Sequence, residues 1–186
     1  LIEGRQIHHD IVKRRFELDL AVENALVDMY AKCGAMEEAC KVFNSMHNKD
    51  VVSWGTIFGG YAQHGDWGSA RQSFVNMRRQ GCRPDGWIFS SILSACSHAG
   101  EVDEGRWYFA SMINDHAIKP APDHFNCIID LLGRAGRLEE ARQIVQSIPV
   151  EIDVNGWTSL LTSCRMYGNK NLGNECFHEA TYLESN

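Results

Sequence analysis

The stretch "DMYAKCGAMEEACKVF" at residues 28–43 is written again, with substitutions, as "DLLGRAGRLEEARQIV" at residues 130–145. A duplicated site needs only two copies. A stacked architecture needs copies in between, because each unit buries its apolar face only against its neighbours. The intermediate copies are present. "GGYAQHGDWGSARQSFVNM" (59–77) and "SACSHAGEVDEGRWYFASM" (94–112) fit the same frame, and "TSCRMYGNKNLGNECFHEA" (162–180) fits it more loosely. The glycines that anchor the frame, Gly34, Gly65, Gly100, Gly136 and Gly168, follow one another at intervals of 31, 35, 36 and 32 residues. "EGRQI" at 3–7 resembles "EGRWY" at 104–108, so the chain is expected to open inside a unit whose first helix is missing.

Each full unit reads as two helices. In "VVSWGTIFGGYAQHG" (51–65), Trp54, Ile57, Phe58 and Tyr61 recur at three- and four-residue intervals as one apolar stripe. Gly65 suits a left-handed residue that ends the first helix. A second stripe runs through Ala70, Phe74 and Met77 and stops before "GCRPD", where Gly81 and Pro84 break helices. No alternating apolar–polar run suggests a strand. Two helices of about 12 residues with short turns fill a step of this size. The expected fold is all-α, a solenoid. The repeated acids Glu37–Glu38, Asp103–Glu104 and Glu139–Glu140 then open second helices, where the macrodipole favours them, and catalysis is assigned to none. Ala39, Ala70, Gly105, Ala141 and Gly173 keep one position small for close helix approach.

Composition excludes several functions. The 186 residues are 44% apolar and 23% charged, ordinary for a globular chain, and no apolar run approaches the ~20 residues that cross a bilayer. The opening "LIEGRQIHHDIVKRRF" is neither a secretory signal nor, with its early acid, an organelle presequence; an address would lie upstream in a longer parent. The seven cysteines (33, 40, 82, 96, 127, 164 and 176) are scattered without a C-x-x-C, unlike a disulfide framework or zinc ribbon, and read as small buried residues in a reducing compartment. The eight histidines make no metal site: His8 and His9 are adjacent and face different sides of a helix, and the others are dispersed. A formal net charge of −6 argues against indiscriminate nucleic-acid binding. The clusters Lys13–Arg14–Arg15 and Arg78–Arg79 with Arg83 read first as solvated helix faces.

"NALVDMYAKCGAMEEACKVFNSM", "VVSWGTIFGGYAQHG", "SILSACSHAGEVDEG" and "DLLGRAGRLEEA" resemble the pentatricopeptide repeat family of plants, and more narrowly its subclass with alternating short, standard and long repeats. The uneven steps match that alternation: part of a truncated repeat at 1–19, a short repeat at 20–50, a standard one at 51–85, a long one at 86–121 and a second short one at 122–153. Residues 154–186 are similar to the extension motif that closes such arrays. A tetratricopeptide array would hold a constant step of 34 residues. The resemblance implies a right-handed superhelix of helix-turn-helix repeats that binds single-stranded RNA, an organelle transcript, one base per repeat in mitochondria or chloroplasts. It also implies a specificity factor for cytidine-to-uridine editing, with a deaminase-bearing or other editing-factor protein as partner.

In that family two residues per repeat face the base: one follows the aromatic of the first helix and one closes the repeat. Carried over, the first short repeat pairs Asn24 with Asp50, although Glu23 stands where an aromatic is usual. The standard repeat pairs Gly55 with Asp85, the long repeat Ser90 with Ala121, and the second short repeat Asn126 with Asp153. Thr158 follows Trp157 in the closing unit, where no reader is assured. Val52 fits the family's aliphatic wedge, and Trp87 at the equivalent place offers an aromatic platform or packs between repeats. An asparagine amide offers one donor and one acceptor to uracil, and a nearby carboxylate accepting from its NH₂ holds it in one orientation. Asn with Asp favours uracil by family rule, so the expected core is 5′-U-N-N-U-3′, with Asn24, Gly55, Ser90 and Asn126 in one row.

Two other functions compete. A protein-binding scaffold would use the same helices without RNA readout. An RNA deaminase would need H-x-E and P-C-x-x-C motifs, and neither occurs, since His178 sits beside Glu179. No cofactor, metal or catalytic residue is expected.

Overall fold

The computed structural model describes residues 1–13, 19–147 and 152–185, and among them every regular element is an α-helix. In chain order these are α1 (Ile2–Lys13), α2 (Leu20–Lys32), α3 (Met36–Ser45), α4 (Val51–His64), α5 (Trp67–Arg79), α6 (Gly86–Ala99), α7 (Val102–Asn114), α8 (Pro122–Arg134), α9 (Leu138–Ser147), α10 (Val154–Tyr167) and α11 (Lys170–Ser185). Of the basic cluster at 13–15, Arg14 and Arg15 lie outside the described residues.

The tight turns come from the anchoring glycines. Gly34, Gly65, Gly100, Gly136 and Gly168 have φ of 77°, 65°, 75°, 74° and 71°. That left-handed conformation ends a helix within one residue and strains any residue with a Cβ. The next helix begins two residues later, and three of these helices carry acids in their first turn: Glu37 and Glu38 on α3, Asp103 and Glu104 on α7, Glu139 and Glu140 on α9.

The chain divides into two compact units, Leu1–Ser91 and Ile92–Asn186, with the division inside α6. In the first, α2 packs on α3 and α4, and α4 on α5. Its core is an aromatic chain: Phe43 meets Trp54 at 4.9 Å between ring centroids, Phe58 meets Phe74 at 6.4 Å, and Phe74 meets Phe89 at 5.7 Å. Edge-on pairs of this kind add about 0.5–1.5 kcal/mol beyond area burial. The stripe read from the sequence, Trp54, Ile57, Phe58 and Tyr61, is buried, as are Ala70, Phe74 and Met77.

In the second unit α8 packs on α7, α9 and α10, and α10 on α11. Ile129, Leu131, Leu132 and Leu160 are fully buried, each contributing about 1.5–3 kcal/mol. The small positions explain the close approach. A Cβ on Gly105 would stand 2.3 Å from Leu131 Cδ2, and one on Gly133 2.3 Å from Ser163 Oγ.

Polar contacts set the register between neighbouring helix pairs. His64 Nε2–H donates to the Ala31 carbonyl at 2.9 Å, and the Tyr167 hydroxyl donates to the Arg134 carbonyl at 2.6 Å. Both residues end the first helix of their pair and reach the last turn of the one before. Second helices are joined by ion pairs: Arg5 to Glu38, Arg106 to Glu140, and Arg142 to Glu175 at 2.9 Å. The Arg5 guanidinium holds the Glu38 carboxyl below its ordinary range, and Arg137, then Arg106, do the same for Glu140. Two of the acids read as helix-opening charges, Glu38 and Glu140, thus also tie a helix pair to the one before it.

The cysteines are less uniformly buried than their scatter suggests. All seven are free; Cys96, Cys164 and Cys176 are buried, Cys40, Cys82 and Cys127 half-buried, and Cys33 is exposed. Burial pushes the Cys96, Cys127 and Cys176 thiols up to about 12, so they stay protonated and unreactive at neutral pH.

Candidate nucleic-acid interface

Five helices, α2, α4, α6, α8 and α10, open directly after residues 19, 50, 85, 121 and 153, four of them aspartates. Asp50 accepts from the Ser53 N–H at 2.8 Å, Asp85 from the Ile88 N–H at 3.0 Å and Asp153 from the Gly156 N–H at 3.1 Å. A side-chain oxygen on the third helical N–H satisfies a donor that has no partner inside the helix. At Ala121 the roles reverse: its backbone N–H donates to Nδ1 of buried His124 at 3.0 Å. The residues that close the repeats are therefore helix caps.

Counting from those caps, the fifth residue of each helix is Asn24, Gly55, Ser90, Asn126 and Thr158. Asn126 Nδ2 donates to Asp153 Oδ1 at 2.9 Å, across 27 residues of sequence. This is the amide–carboxylate tether expected of the pair. Asn126 Oδ1 is left buried with no hydrogen-bond partner, and so is Oδ1 of Asn24. An unmet buried acceptor costs about 1–3 kcal/mol and calls for an explanation. Here two of them fall on the same helical position.

The other positions differ. Asp50 makes no hydrogen bond to Asn24: its Oδ1 accepts from the Ser53 N–H and also from the Ser53 hydroxyl at 2.9 Å. The backbone bond first, then the hydroxyl, hold the Asp50 carboxyl below its ordinary range. Ser90 is half-buried, and Ala121 brings no polar side chain to it. The Thr158 hydroxyl is engaged by its own helix, at 2.8 Å from the Val154 carbonyl and 3.0 Å from that of Asn155.

Gly55 is not an empty position. A Cβ there would stand 2.9 Å from Cδ1 of Trp87 and 3.3 Å from its Nε1, so the indole edge lies where a side chain would be. Trp87 is nonetheless 63% exposed and Val52 58% exposed. The indole edge thus packs on the neighbouring helix while much of the side chain stays exposed. Val52, Gly55, Asp85 and Trp87 line a cleft of about 490 Å³ together with Asp28 and Lys32, which pair with each other at 2.7 Å. Asp28 and Lys32 were not singled out from the sequence; only their spacing of four residues along one helix marks them as facing the same side.

Outside this face, Arg78, Arg79 and Arg83 are exposed at the end of α5 and just after it. Among the described residues no group of three or more His, Cys, Asp or Glu side chains is placed to hold a metal ion, and no helix is long and apolar enough to cross a membrane.

Comparison with known proteins adds identity to this geometry. A model of the PPR repeat family matches residues 49–98, and a PPR repeat model matches residues 24–51, 87–116 and 123–149. A pentatricopeptide repeat-containing protein of Arabidopsis thaliana is 42% identical over 94% of this chain and 28% of its own length. The Arabidopsis thaliana pentatricopeptide repeat-containing protein CRR2, chloroplastic, is 43% identical over 99% of this chain and 28% of its own length. The chain thus spans under a third of these relatives. Among solved structures, PPR10 in complex with an 18-nt psaJ RNA element superposes with a TM-score of 0.80 at 20% identity, covering 97% of this chain and 27% of that one. The PPR domain of Arabidopsis thaliana protein-only RNase P 1, in complex with tRNA, gives 0.67 at 13% identity, covering 88% and 89%. At these identities the likeness is one of fold, an α-solenoid of helix-turn-helix repeats.

Proposed function

The chain belongs to the pentatricopeptide repeat family, and from that premise we propose that it binds single-stranded RNA sequence-specifically, one base per repeat, as a non-catalytic specificity factor for organelle RNA processing, C-to-U editing first. The observation that carries this reading is the coincidence at the fifth helical position. Asn24 and Asn126 both keep an unmet Oδ1, and Asn126 is held by the aspartate that closes its repeat. A base bringing an N–H to that oxygen removes the cost of leaving it unpaired. PPR10 and the RNase P 1 domain, which share the fold, are both solved with RNA, and CRR2 is named chloroplastic, which supports an organelle without choosing between chloroplast and mitochondrion.

The repeat division is 20–50, 51–85, 86–121 and 122–153, with 154–186 as the closing extension; the alternation of step length supports the editing-type subclass. With parallel orientation, Asn24 and Asp50 meet a 5′ uracil and Asn126 and Asp153 a 3′ uracil, two bases apart. Gly55 with Asp85 and Ser90 with Ala121 specify the bases between them weakly, flanked by Val52 and Trp87. A partner carrying the deaminase docks on the extension, whose last helix exposes Phe177 and Tyr182.

Two well-read bases at about 1–3 kcal/mol each give this chain by itself micromolar affinity or weaker. The test is titration of wild type and Asn126→Thr against UAAU and UAAG in otherwise identical RNA. The variant gains on UAAG and loses on UAAU. Equal loss on both makes Asn126 structural and overturns the reading.

A further inference from the structure

The two asparagine–aspartate pairs are alike in sequence and unlike in space. Asn126 is bonded to Asp153, whereas Asn24 is not bonded to Asp50. The two sites also differ at the third residue of the following helix. In α10 that residue is Gly156, which donates its backbone N–H to Asp153 Oδ1 at 3.1 Å and has nothing else to offer the carboxylate. The same Oδ1 therefore also accepts from Asn126 at 2.9 Å. The missing side chain matters a second time, because a Cβ on Gly156 would stand 2.5 Å from Asn126 Oδ1.

In α4 the third residue is Ser53, fully buried. Its N–H at 2.8 Å and its hydroxyl at 2.9 Å converge on Asp50 Oδ1, while the Asp50 N–H donates back to the hydroxyl at 3.4 Å. The reciprocal cap turns the carboxylate toward its own helix. Asn24 is left without a tether, and its Oδ1 is unpaired.

We propose that the third residue of each first helix is a positioning residue for base readout by the preceding repeat. A glycine releases the capping carboxylate to hold the reader asparagine in one orientation. A serine keeps the carboxylate on the cap and leaves the reader loose. The chain's uracil selectivity is then uneven, strong at the base facing Asn126 and weak at the base facing Asn24. This inference rests on the RNA reading above, and it adds Gly156 and Ser53 to the residues that set specificity, neither of which need touch RNA.

The experiment exchanges the two residues. Wild type, Ser53→Gly, Ser53→Ala and Gly156→Ser are titrated against UAAU, AAAU and UAAA in identical flanks, with thermal unfolding recorded for each. Wild type should discriminate more strongly at the 3′ position than at the 5′ one. Ser53→Gly should raise 5′ discrimination at least threefold and leave the 3′ value unchanged, a position-specific gain that a merely structural role does not produce. Ser53→Ala, which removes the hydroxyl and keeps the Cβ, should gain at the 5′ position too. Gly156→Ser should lower only 3′ discrimination; should it fail to fold, because its Cβ would meet Ile152 Cγ2 at 2.3 Å, the two Ser53 variants decide alone. If 5′ discrimination is unchanged in both Ser53 variants while wild type prefers uracil at the 3′ position, the positioning role is overturned and RNA readout stands. If wild type prefers uracil at neither position, the RNA reading fails and this inference with it.

Discussion

Asn126 and Gly55 hold the same place in their helices, the fifth, and each belongs to a repeat closed by an aspartate, yet they present opposite chemistries. Asn126 is an amide fixed by a 2.9 Å bond and carrying an unmet acceptor. Gly55 is a vacancy filled by the edge of Trp87, an aromatic residue of the cleft lining that stays largely exposed. On the proposed RNA reading, the first arrangement would discriminate, because a hydrogen-bonding site rejects the base that leaves it unpaired, and the second would hold any base, because every base has a π-face. That reading separates selectivity from affinity and assigns them to different repeats.

The largest effect expected from breaking this division is at Trp87. Trp87→Ala should lower affinity about tenfold or more, the ~1–3 kcal/mol typical of base–aromatic stacking, equally for every RNA titrated. A loss confined to one sequence would make the indole a reader. Next is Asp153→Ala, which removes a helix cap worth about 1 kcal/mol and the Asn126 tether together. Its thermal midpoint should fall by a few degrees and its 3′ uracil preference should vanish. Asp50→Ala should show the same fall in midpoint with little change in 5′ preference.

A smaller effect is expected at Gly55. Gly55→Ala puts a methyl group 2.9 Å from Trp87 Cδ1 and must displace the indole, so affinity should fall by a few-fold. In a Trp87→Ala background the same change should leave affinity alone and stabilise the helix by about 0.5–1 kcal/mol. A double-mutant cycle reads the coupling directly. The smallest effect is the pH dependence of the α4 cap. The Asp50 carboxyl is held below its ordinary range by the Ser53 N–H and hydroxyl. A depressed folded pKa contributes stability above the unfolded value, about 3.9, that is lost as pH falls through the folded one. Urea unfolding from pH 5 down to 2 should show that loss in wild type and a shallower slope in Asp50→Asn.

Much of the fold was legible from local rules. Gly65 and Gly136 mark left-handed turns because few other residues tolerate φ near 70°, and the Trp54–Ile57–Phe58–Tyr61 stripe is periodic because one helix face is buried. The interhelix ion pairs of Glu38 and Glu140 were not legible, since a first-turn acid looks the same whether or not an arginine from the preceding helix pair reaches it. For the site, the family resemblance laid on the repeat register selected Asn24, Gly55, Ser90 and Asn126 with the closing residues Asp50, Asp85, Ala121 and Asp153; that these closing residues cap the next helix came from the structure. Register could not tell that Asp50 and Asp153 behave differently, because a carboxylate's partner depends on which donors surround it.

The sequence by itself determined the repeat, its unequal steps, the helices and their ends, and the residues that occupy the fifth and capping positions. The helices and their ends follow from contacts within about four residues, which the chain encodes wherever it lies, and the repeat and its steps from comparing units 31 to 36 residues apart. Only the tertiary structure decided that Trp87 fills the space beside Gly55, and that Gly156 frees Asp153 for Asn126 while Ser53 keeps Asp50 to itself. These are contests between donors and volumes brought together from neighbouring helices some 27 to 32 residues apart. Their outcome turns on ångström-scale approach, which no local pattern specifies.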